Sequence, residues 1–429
     1  MMKNQEIIES TTICPYIWNQ FCMYTDGNMR ICCSSGINGH VKNDNGNYVK
    51  FDSFESLDEY YNQKFYKDIR LKMLNGEMPS ECNECFKIEK MNGFSARMQA
   101  LKSYTNNNTF LKTLSTTKAD GSIKSNVQYV DLSLSNVCNL KCITCSPNHS
   151  SILVGDFDKI GVEGGLSYDK EVVNSAKKLA NDETMFTKHL EEMSKSIEHI
   201  LFSGGEPFLD KKHVILLKKI ISEGRAGHVS LSYNTNCSVI DNELMNLWNE
   251  FNMVYLQLSV DAFGELNEYI RKNSNWKSFE ENVKVLIDHP KTICVFQTTV
   301  QALNILKLTE LYDWSAKIAN KYSENPWKIS PMPKHIMMWE PRWLHVDILS
   351  IEIKMEALRR LNKYLDFNNS LSRESREQVE GVIIFLKDSM SRDHDLEQLA
   401  RFQKLIPSFE AIRNQKSILT LIPEFKSIL

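Results

Sequence analysis

The sequence has few of the features that would indicate a membrane, a secreted protein or a nucleic acid partner. It contains no run of about 18 apolar residues that could cross a bilayer, and the polar segment 1–12 lacks the apolar core of a secretory signal. The formal net charge is −3, which does not favour a broad nucleic-acid-binding surface, although a local basic patch would not be visible in a whole-chain balance. We therefore expect a cytoplasmic protein without a membrane partner.

The common nucleotide and metalloprotease motifs are also missing. There is no P-loop, no G-x-G-x-x-G, no H-E-x-x-H and no internal repeat. The composition is 42% hydrophobic and 24% charged over 429 residues, which predicts two or three ordinary globular domains. The chemistry of this chain must therefore come from other residues.

Cysteine, in contrast, is plentiful. There are 11 cysteines, an odd number, and most of them precede residue 146. Because thiols stay reduced in the cytoplasm, this concentration predicts metal ligands rather than a disulfide framework. Cys237 and Cys294 lie apart from the others in or beside strand-like runs, and we predict that they are small buried hydrophobic residues.

The central motif is a loop with three cysteines, Cys138, Cys142 and Cys145, in C-x3-C-x2-C order. It directly follows the apolar run Val127–Leu134, which predicts a buried strand. Three thiolates can bind three irons of a four-iron cluster and leave the fourth iron open, whereas a closed electron-transfer cluster uses four. Three cysteines with the nearby His149 could instead bind zinc, and the spacing alone leaves that alternative open.

A second motif, Gly204-Gly205-Glu206-Pro207, ends the predicted strand that starts at His199. Glycine there would let the backbone approach a ligand without a clash of a Cβ atom. Together the two motifs resemble the signature of the radical S-adenosylmethionine (SAM) superfamily. The resemblance implies a [4Fe-4S] cluster on the three cysteines, reductive cleavage of SAM to a 5′-deoxyadenosyl radical, and abstraction of hydrogen from a substrate.

The resemblance also implies a set of groups that hold SAM at the carboxyl ends of the strands. These are Gly204, Gly205, Glu206, Asn234, Ser259, Asp261 and Arg271. The glycine pair and the glutamate would receive the amino group of SAM, and the other residues would contact its ribose and carboxylate. The alternative for the glycine motif is an ordinary turn, and the alternative for each of the other four residues is an ordinary cap or a surface ion pair.

Strand-like and helix-like segments alternate after Val127, which predicts an α/β fold with a parallel sheet and right-handed crossovers. Six such units, the last with a weak strand at Trp327–Ser330, suit the incomplete (β/α)6 TIM-like barrel that the resemblance implies. A complete eight-unit barrel is the alternative, but it requires about 250 residues and further strands.

The amino-terminal cysteines predict a second metal site. Asp26-Gly27 is a hairpin-turn signal, and a hairpin there would bring Cys14 close to the pair Cys32 and Cys33. With the knuckle formed by Cys82 and Cys85, this gives a four-thiolate site for zinc or for a second iron–sulfur cluster.

This segment resembles the SPASM/Twitch auxiliary-cluster module of radical SAM enzymes, although in this chain it precedes the core. The spacing Gly27-x4-Cys32 favours Cys32 as a ligand, Cys33 is its alternative, and Cys22 is a spare candidate. The resemblance thus implies a second [4Fe-4S] cluster, with Cys14, Cys82 and Cys85 as the other ligands.

We accordingly predict an auxiliary-cluster module at 1–100, a linker at 101–126, a radical SAM core at 127–330, and a barrel-closing segment with carboxyl-terminal helices at 331–429. The resemblance implies an external electron donor such as flavodoxin or ferredoxin. It places a peptide or protein substrate slightly ahead of a small molecule such as a sugar. The alternative from another class is a zinc-stabilised binding protein in which both cysteine groups are structural.

Overall fold

The structure, a computed structural model, describes residues 7, 9–90, 95–104, 107–182 and 187–429. The fold is mixed α/β, and its described residues include an eight-stranded, mainly parallel sheet. The chain divides into two compact units. Unit 1 comprises Met1–Asn136, Lys170–Ser232 and Asn246–Met253, and unit 2 comprises Val137–Asp169, Tyr233–Met245 and Val254–Leu429.

The strands within the described residues are numbered in chain order. They are β1 (Gln20–Met23), β2 (Met29–Arg30), β3 (Tyr129–Ser133), β4 (Lys141–Cys142), β5 (His199–Ser203), β6 (Ser230–Thr235), β7 (Met253–Ser259), β8 (Arg271–Lys272), β9 (Thr292–Val300) and β10 (Lys334–Met337).

The α-helices are numbered in the same way. They are α1 (Tyr16–Asn19), α2 (Leu57–Tyr61), α3 (Lys64–Leu74), α4 (Asn83–Lys90), α5 (Ala96–Tyr104), α6 (Asn108–Ser115), α7 (Val154–Ile160), α8 (Lys170–Asn181), α9 (Leu190–Ser194), α10 (Lys212–Ser222), α11 (Asn242–Trp248), α12 (Glu265–Ile270), α13 (Trp276–Asp288), α14 (Leu308–Asn320), α15 (Ile351–Phe367), α16 (Arg373–Met390) and α17 (Leu396–Arg413). None of the described helices has the length and apolar character needed to cross a bilayer.

In unit 1 the amino-terminal hairpin is part of the sheet that contains β3. The predicted hairpin is present, because β1 and β2 pair antiparallel around Gly27, which has a φ of 81°. β1 also pairs in parallel with β3, with Phe21 opposite Val130, and β3 pairs in parallel with β5. All four residues of β1 are buried, and both edges of this strand are paired, with β2 on one side and β3 on the other.

Buried polar contacts fix the segment around α1. The Arg70 side chain is completely buried and donates hydrogen bonds to the carbonyl oxygens of Ile17, Tyr61 and Gly121, at 3.2, 2.8 and 3.1 Å. One side chain therefore joins three separate stretches of backbone in unit 1.

The stretch predicted as a linker contains helical structure. Helix α6 begins at the N-cap Asn107 and buries Phe110 and Leu114, which are four residues apart and so share one face. The polar composition of the stretch hid this short apolar face. Residues 105 and 106 lie outside the described residues, and the boundaries predicted for the four segments stay predictions.

In unit 2, β7, β9 and β10 pair in parallel. The sixth strand predicted at Trp327–Ser330 is wrong, because within this segment only Ile329 makes an isolated bridge, to Cys294. The strand that pairs with β9 on the side away from β7 is β10. Proline has no backbone N–H to donate to a ladder. Pairing resumes only after Pro333, and this explains the displaced strand.

The carboxyl-terminal helices α15, α16 and α17 lie in the segment for which the sequence predicts helices. Their apolar faces share one core with residues that flank the three-cysteine loop, including Ile143 and Phe157. Within this core the rings of Trp343 and Phe409 are stacked, with their centroids 6.2 Å apart. Helix α17 is thus packed in the same core as the cysteine loop.

Candidate active site

The three-cysteine loop lies in unit 2 and is fixed by backbone pairing. Cys142 is on β4, opposite Arg271 of β8 in a short antiparallel ladder. The N–H of Ile143 donates to the carbonyl of Ile270 at 2.8 Å, which continues the pairing beyond the ladder. All three cysteines of the loop are partly buried. Their thiols are therefore held in place and still accessible.

The surroundings of these thiols disfavour thiolates in the absence of a metal. Burial raises the pKa of Cys142 to about 11, although the cation of Arg271 opposes this effect. Burial, together with the neighbouring Cys142 and Cys138, raises the pKa of Cys145 to about 12. A metal centre supplies the positive charge that a thiolate group of this kind requires. Three cysteines in one ordered loop, two of them with raised pKa values, fit the three-ligand iron–sulfur site.

Arg271 lies directly beside the loop. Its Nη1 atom is 4.0 Å from the Sγ atom of Cys142, and its Nε atom forms an ion pair with Asp261 Oδ2 at 2.9 Å. Asp261 is completely buried, and its Oδ1 atom also accepts a hydrogen bond from the N–H of Thr299 at 3.0 Å. The structure therefore gives Asp261 a position from which it orients Arg271.

Two asparagines lie at or just beyond the end of β6, and one of them contacts the three-cysteine loop. Asn236 donates to the Cys138 sulfur at 3.7 Å and to the side chain of Asn139 at 3.3 Å. The side-chain oxygen of Asn234 is buried and has no hydrogen-bond partner among the described residues. An orphaned acceptor of this kind fits a bound ligand with a hydroxyl or N–H group. The sequence shows polar residues at this strand end, but no motif in it distinguishes Asn236.

The glycine motif lies in unit 1, packed on the end of β3. Gly204 has a φ of 112°, and a Cβ atom there would be 2.6 Å from the carbonyl oxygen of Ser135. The N–H of Gly205 donates to the same oxygen at 2.7 Å. Glu206 is buried, and its carboxylate accepts a hydrogen bond from the N–H of Phe208. The sequence predicts that the glycines let the backbone approach a ligand, and for Gly204 the structure shows a close approach to the strand itself.

The remaining predicted SAM residue, Ser259, is the last residue of β7 and is partly buried. It lies two residues before Asp261 in unit 2.

Four amino-terminal cysteines line a single cavity in unit 1. They are Cys14, Cys32, Cys82 and Cys85, together with Tyr16 and Arg97. Burial, reinforced by the proximity of other cysteines, raises the pKa values of Cys14, Cys32 and Cys82. These are the four residues that the sequence favoured as ligands. They fit a four-thiolate metal centre, because a metal supplies the positive charge that such thiolates require.

Cys33 and Cys22 lie beside a different group, the carboxyl of Asp131. Burial raises the pKa of Asp131 to about 6, and hydrogen bonds with the thiols of Cys33 and Cys22 oppose the increase. Cys22 is opposite Asp131 in the pairing of β1 with β3. Neither cysteine is among the residues that line the four-cysteine cavity.

Arg97 is a residue of the amino-terminal site that sequence reasoning does not find. It lines the cavity, and its Nε and Nη2 atoms donate to the Glu89 carboxylate at 2.9 and 2.5 Å. Its Nη1 atom donates to the carbonyl of Ser10 at 2.8 Å. These contacts hold a cation beside the cysteines. Nothing in the sequence distinguishes this arginine, because it lies in a polar stretch without a motif.

A site for a single metal ion is a different arrangement. In the part of the chain that the structure describes, no three His, Cys, Asp or Glu side chains lie together as they would around one ion.

Comparison with protein families identifies the central part of the chain. Residues 132–314 match the family model described as the Radical SAM superfamily. The chain contains a radical SAM domain. Such a domain implies SAM and a [4Fe-4S] cluster as cofactors, and the matched residues include the three-cysteine loop, the glycine motif, Asn234 and Arg271. The four amino-terminal cysteines and the carboxyl-terminal helices lie outside the match.

Solved structures of low similarity include two with bound S-adenosylmethionine. One is anSMEcpe with bound AdoMet (20% identity, TM-score 0.36, covering 57% of this chain and 62% of that chain). Another is Streptococcus suis SuiB bound to S-adenosylmethionine (15% identity, TM-score 0.35, covering 75% and 65%). Both matches span less than two thirds of the solved chain. A comparison with curated proteins found no match.

Proposed function

We propose that the protein is an enzyme that reductively cleaves SAM and abstracts hydrogen from a peptide or protein substrate. A small molecule such as a sugar is the second candidate substrate. We rank a peptide or protein slightly ahead of it because such substrates are more common among radical SAM enzymes with auxiliary clusters. When bound, the [4Fe-4S] cluster and SAM supply a 5′-deoxyadenosyl radical. The observation that supports the proposal most is the ordered three-cysteine loop inside the radical SAM domain, with Arg271 beside Cys142.

The residues of the domain hold the cofactors and orient them. We propose that Cys138, Cys142 and Cys145 bind the cluster. We further propose that the side chains of Asn234, Ser259 and Arg271 contact SAM. The SAM contact predicted for the backbone and acid of 204–206 stays a prediction. The free Asn234 oxygen suits a ribose hydroxyl, since that hydroxyl can donate the hydrogen bond that the oxygen lacks. Asp261 holds Arg271 in place through their ion pair.

At the amino-terminal site we propose a second [4Fe-4S] cluster on Cys14, Cys32, Cys82 and Cys85. The shared cavity supports this ligand set, and the position of Cys33 beside Asp131 supports Cys32 over Cys33. A cluster with four thiolates is closed, so it suits electron transfer rather than the binding of SAM. Reduction of the enzyme would require an external electron donor such as flavodoxin or ferredoxin. We propose that the enzyme acts in the cytoplasm.

The first experiment tests the radical chemistry. Anaerobically reconstituted protein, reduced with dithionite and given SAM, should form 5′-deoxyadenosine. Cys142→Ala should abolish the reaction, because two thiolates are too few to retain an open cluster. Cys294→Ala is the matched control, since this cysteine is buried on β9 in the same unit and should not affect cleavage. Undiminished cleavage by Cys142→Ala would contradict the proposal.

Metal analysis tests the amino-terminal site without knowledge of the substrate. Wild-type protein should contain about eight irons per chain, and the variant in which Cys138, Cys142 and Cys145 are alanine should retain about four. Adding Cys82→Ala should remove the remaining iron, whereas adding Cys33→Ala should not. A triple variant that contains zinc and no iron would refute the second cluster, and equal iron loss with Cys33→Ala would refute the ligand assignment.

A further inference from the structure

A buried arginine of the carboxyl-terminal region approaches the three-cysteine loop. Arg413 is the last residue of α17, and only 7% of it is exposed. Its Nε atom donates a hydrogen bond to Asp156 Oδ2 at 2.7 Å. The Nη1 and Nη2 atoms are buried and have no hydrogen-bond partner among the described residues. Two unpaired donors on a buried cation are costly unless they serve a bound group or a nearby negative charge.

Asp156 connects this arginine to the cysteine loop. Its second oxygen, Oδ1, accepts a hydrogen bond from Lys141 Nζ at 2.7 Å, and Lys141 directly precedes Cys142 on β4. Burial disfavours the ionised form of Asp156, but hydrogen bonds from Lys141 and Arg413 outweigh it and lower the pKa of the carboxyl. Two cations therefore share one carboxylate, which leaves a net positive charge next to the loop.

Helix α17 also supports the other strand of the cysteine ladder. The hydroxyl of Tyr269 donates to Glu410 at 2.9 Å, and the side chain of Gln415, just beyond the helix, donates to the Tyr269 carbonyl at 3.1 Å. Tyr269 lies two residues before Arg271, which pairs with Cys142. The end of α17 is thus linked to β4 through Asp156, and to the residues that lead into β8 through Tyr269.

We propose that Arg413 is a positioning residue for the iron–sulfur centre, which it makes easier to reduce by placing a buried positive charge beside the cysteine loop. The inference rests on the proposed function. Reduction adds negative charge to a cluster, so a nearby buried cation stabilises the reduced form and raises the reduction potential.

The test is a redox titration of the full-length, anaerobically reconstituted protein. It follows the electron paramagnetic resonance signal that changes when SAM is added, since only a cluster with an open iron responds to SAM. Arg413→Gln should lower the ratio of reduced to oxidised centre at a fixed potential about tenfold, which for one electron is a shift of 59 mV to more negative values. Arg413→Lys keeps the charge and should restore most of the wild-type potential.

A second variant gives a result of opposite sign. Asp156→Asn removes the negative charge that Lys141 and Arg413 share and should move the reduction potential to more positive values. If Arg413 and Asp156 had only a structural role, the two variants would not shift the potential in opposite directions. Arg401→Gln is the matched control, because Arg401 lies on the same helix, partly buried, and binds the Gly165 carbonyl and Gln398 instead. Its potential should equal that of the wild type.

The outcomes separate this inference from the proposed function. A SAM-responsive cluster whose potential is the same in Arg413→Gln and wild type would overturn the role of Arg413 and leave the proposed function intact. The same holds if Arg401→Gln shifts the potential as much as Arg413→Gln does. Wild-type protein without any SAM-responsive cluster would overturn the proposed function itself. If Arg413→Gln does not fold, the Arg413→Lys and Asp156→Asn titrations decide the question by their signs.

Discussion

Replacing Gly204 by alanine should destabilise the protein through two separable effects. The φ of 112° is unfavourable for any residue with a Cβ atom, at a cost of about 1–2 kcal/mol. The new Cβ would also lie 2.6 Å from the Ser135 carbonyl oxygen, a backbone atom that cannot rotate away, and overpacking of this kind costs about 1–3 kcal/mol. We therefore expect a total of about 3 kcal/mol, measured as the free energy of unfolding in urea.

Two other glycines of unit 1 serve as controls for the separate effects. Gly224 has a φ of 68° and no atom within 4 Å of the Cβ position, so its alanine variant should show the conformational cost alone, about 1 kcal/mol. Gly227 has neither feature, and Gly227→Ala should be neutral or slightly stabilising. A Gly204→Ala variant within about 0.5 kcal/mol of Gly224→Ala would refute the clash with the Ser135 backbone.

Two further predictions concern buried charge and pH. Arg70→Met should lower the free energy of unfolding by about 3 kcal/mol, because three buried carbonyl oxygens lose their hydrogen-bond donor. The control is Arg373→Met, which should have no effect because that side chain is 94% exposed. Equal urea midpoints for the two variants would exclude this role of Arg70. Burial lowers the pKa of His345 in the folded protein to about 4, whereas in the unfolded chain it is about 6.5. Between these two pH values the unfolded chain binds a proton that the folded protein does not, so the free energy of unfolding should fall as the pH decreases from about 6.5 to 4. The His345→Gln variant should lose part of this slope, and a pH profile identical to that of the wild type would contradict the assignment.

Most of the parallel sheet could be predicted from the sequence, since runs of apolar residues such as Val127–Leu134 and Ile293–Val300 are local signals of buried strands. The last strand could not. Trp327–Ser330 has strand-like residues, but the prolines that follow it interrupt pairing, and β10 forms at a segment with a weaker pattern. The parallel pairing of β1 with β3 was also invisible, because it joins residues more than 100 positions apart.

The sequence by itself indicated the family of the central part of the chain. Three cysteines within eight residues and a Gly-Gly-Glu-Pro strand end predict a radical SAM domain, because each motif lies in a single loop and needs no tertiary structure to be recognised. Only the tertiary structure decided which charges surround those cysteines. Arg413 and Asp156 are separated by 257 residues, and no spacing rule relates them. Coulombic interactions act through space between side chains that folding brings together, so the electrostatic setting of the cysteine loop could be learned only from the folded chain.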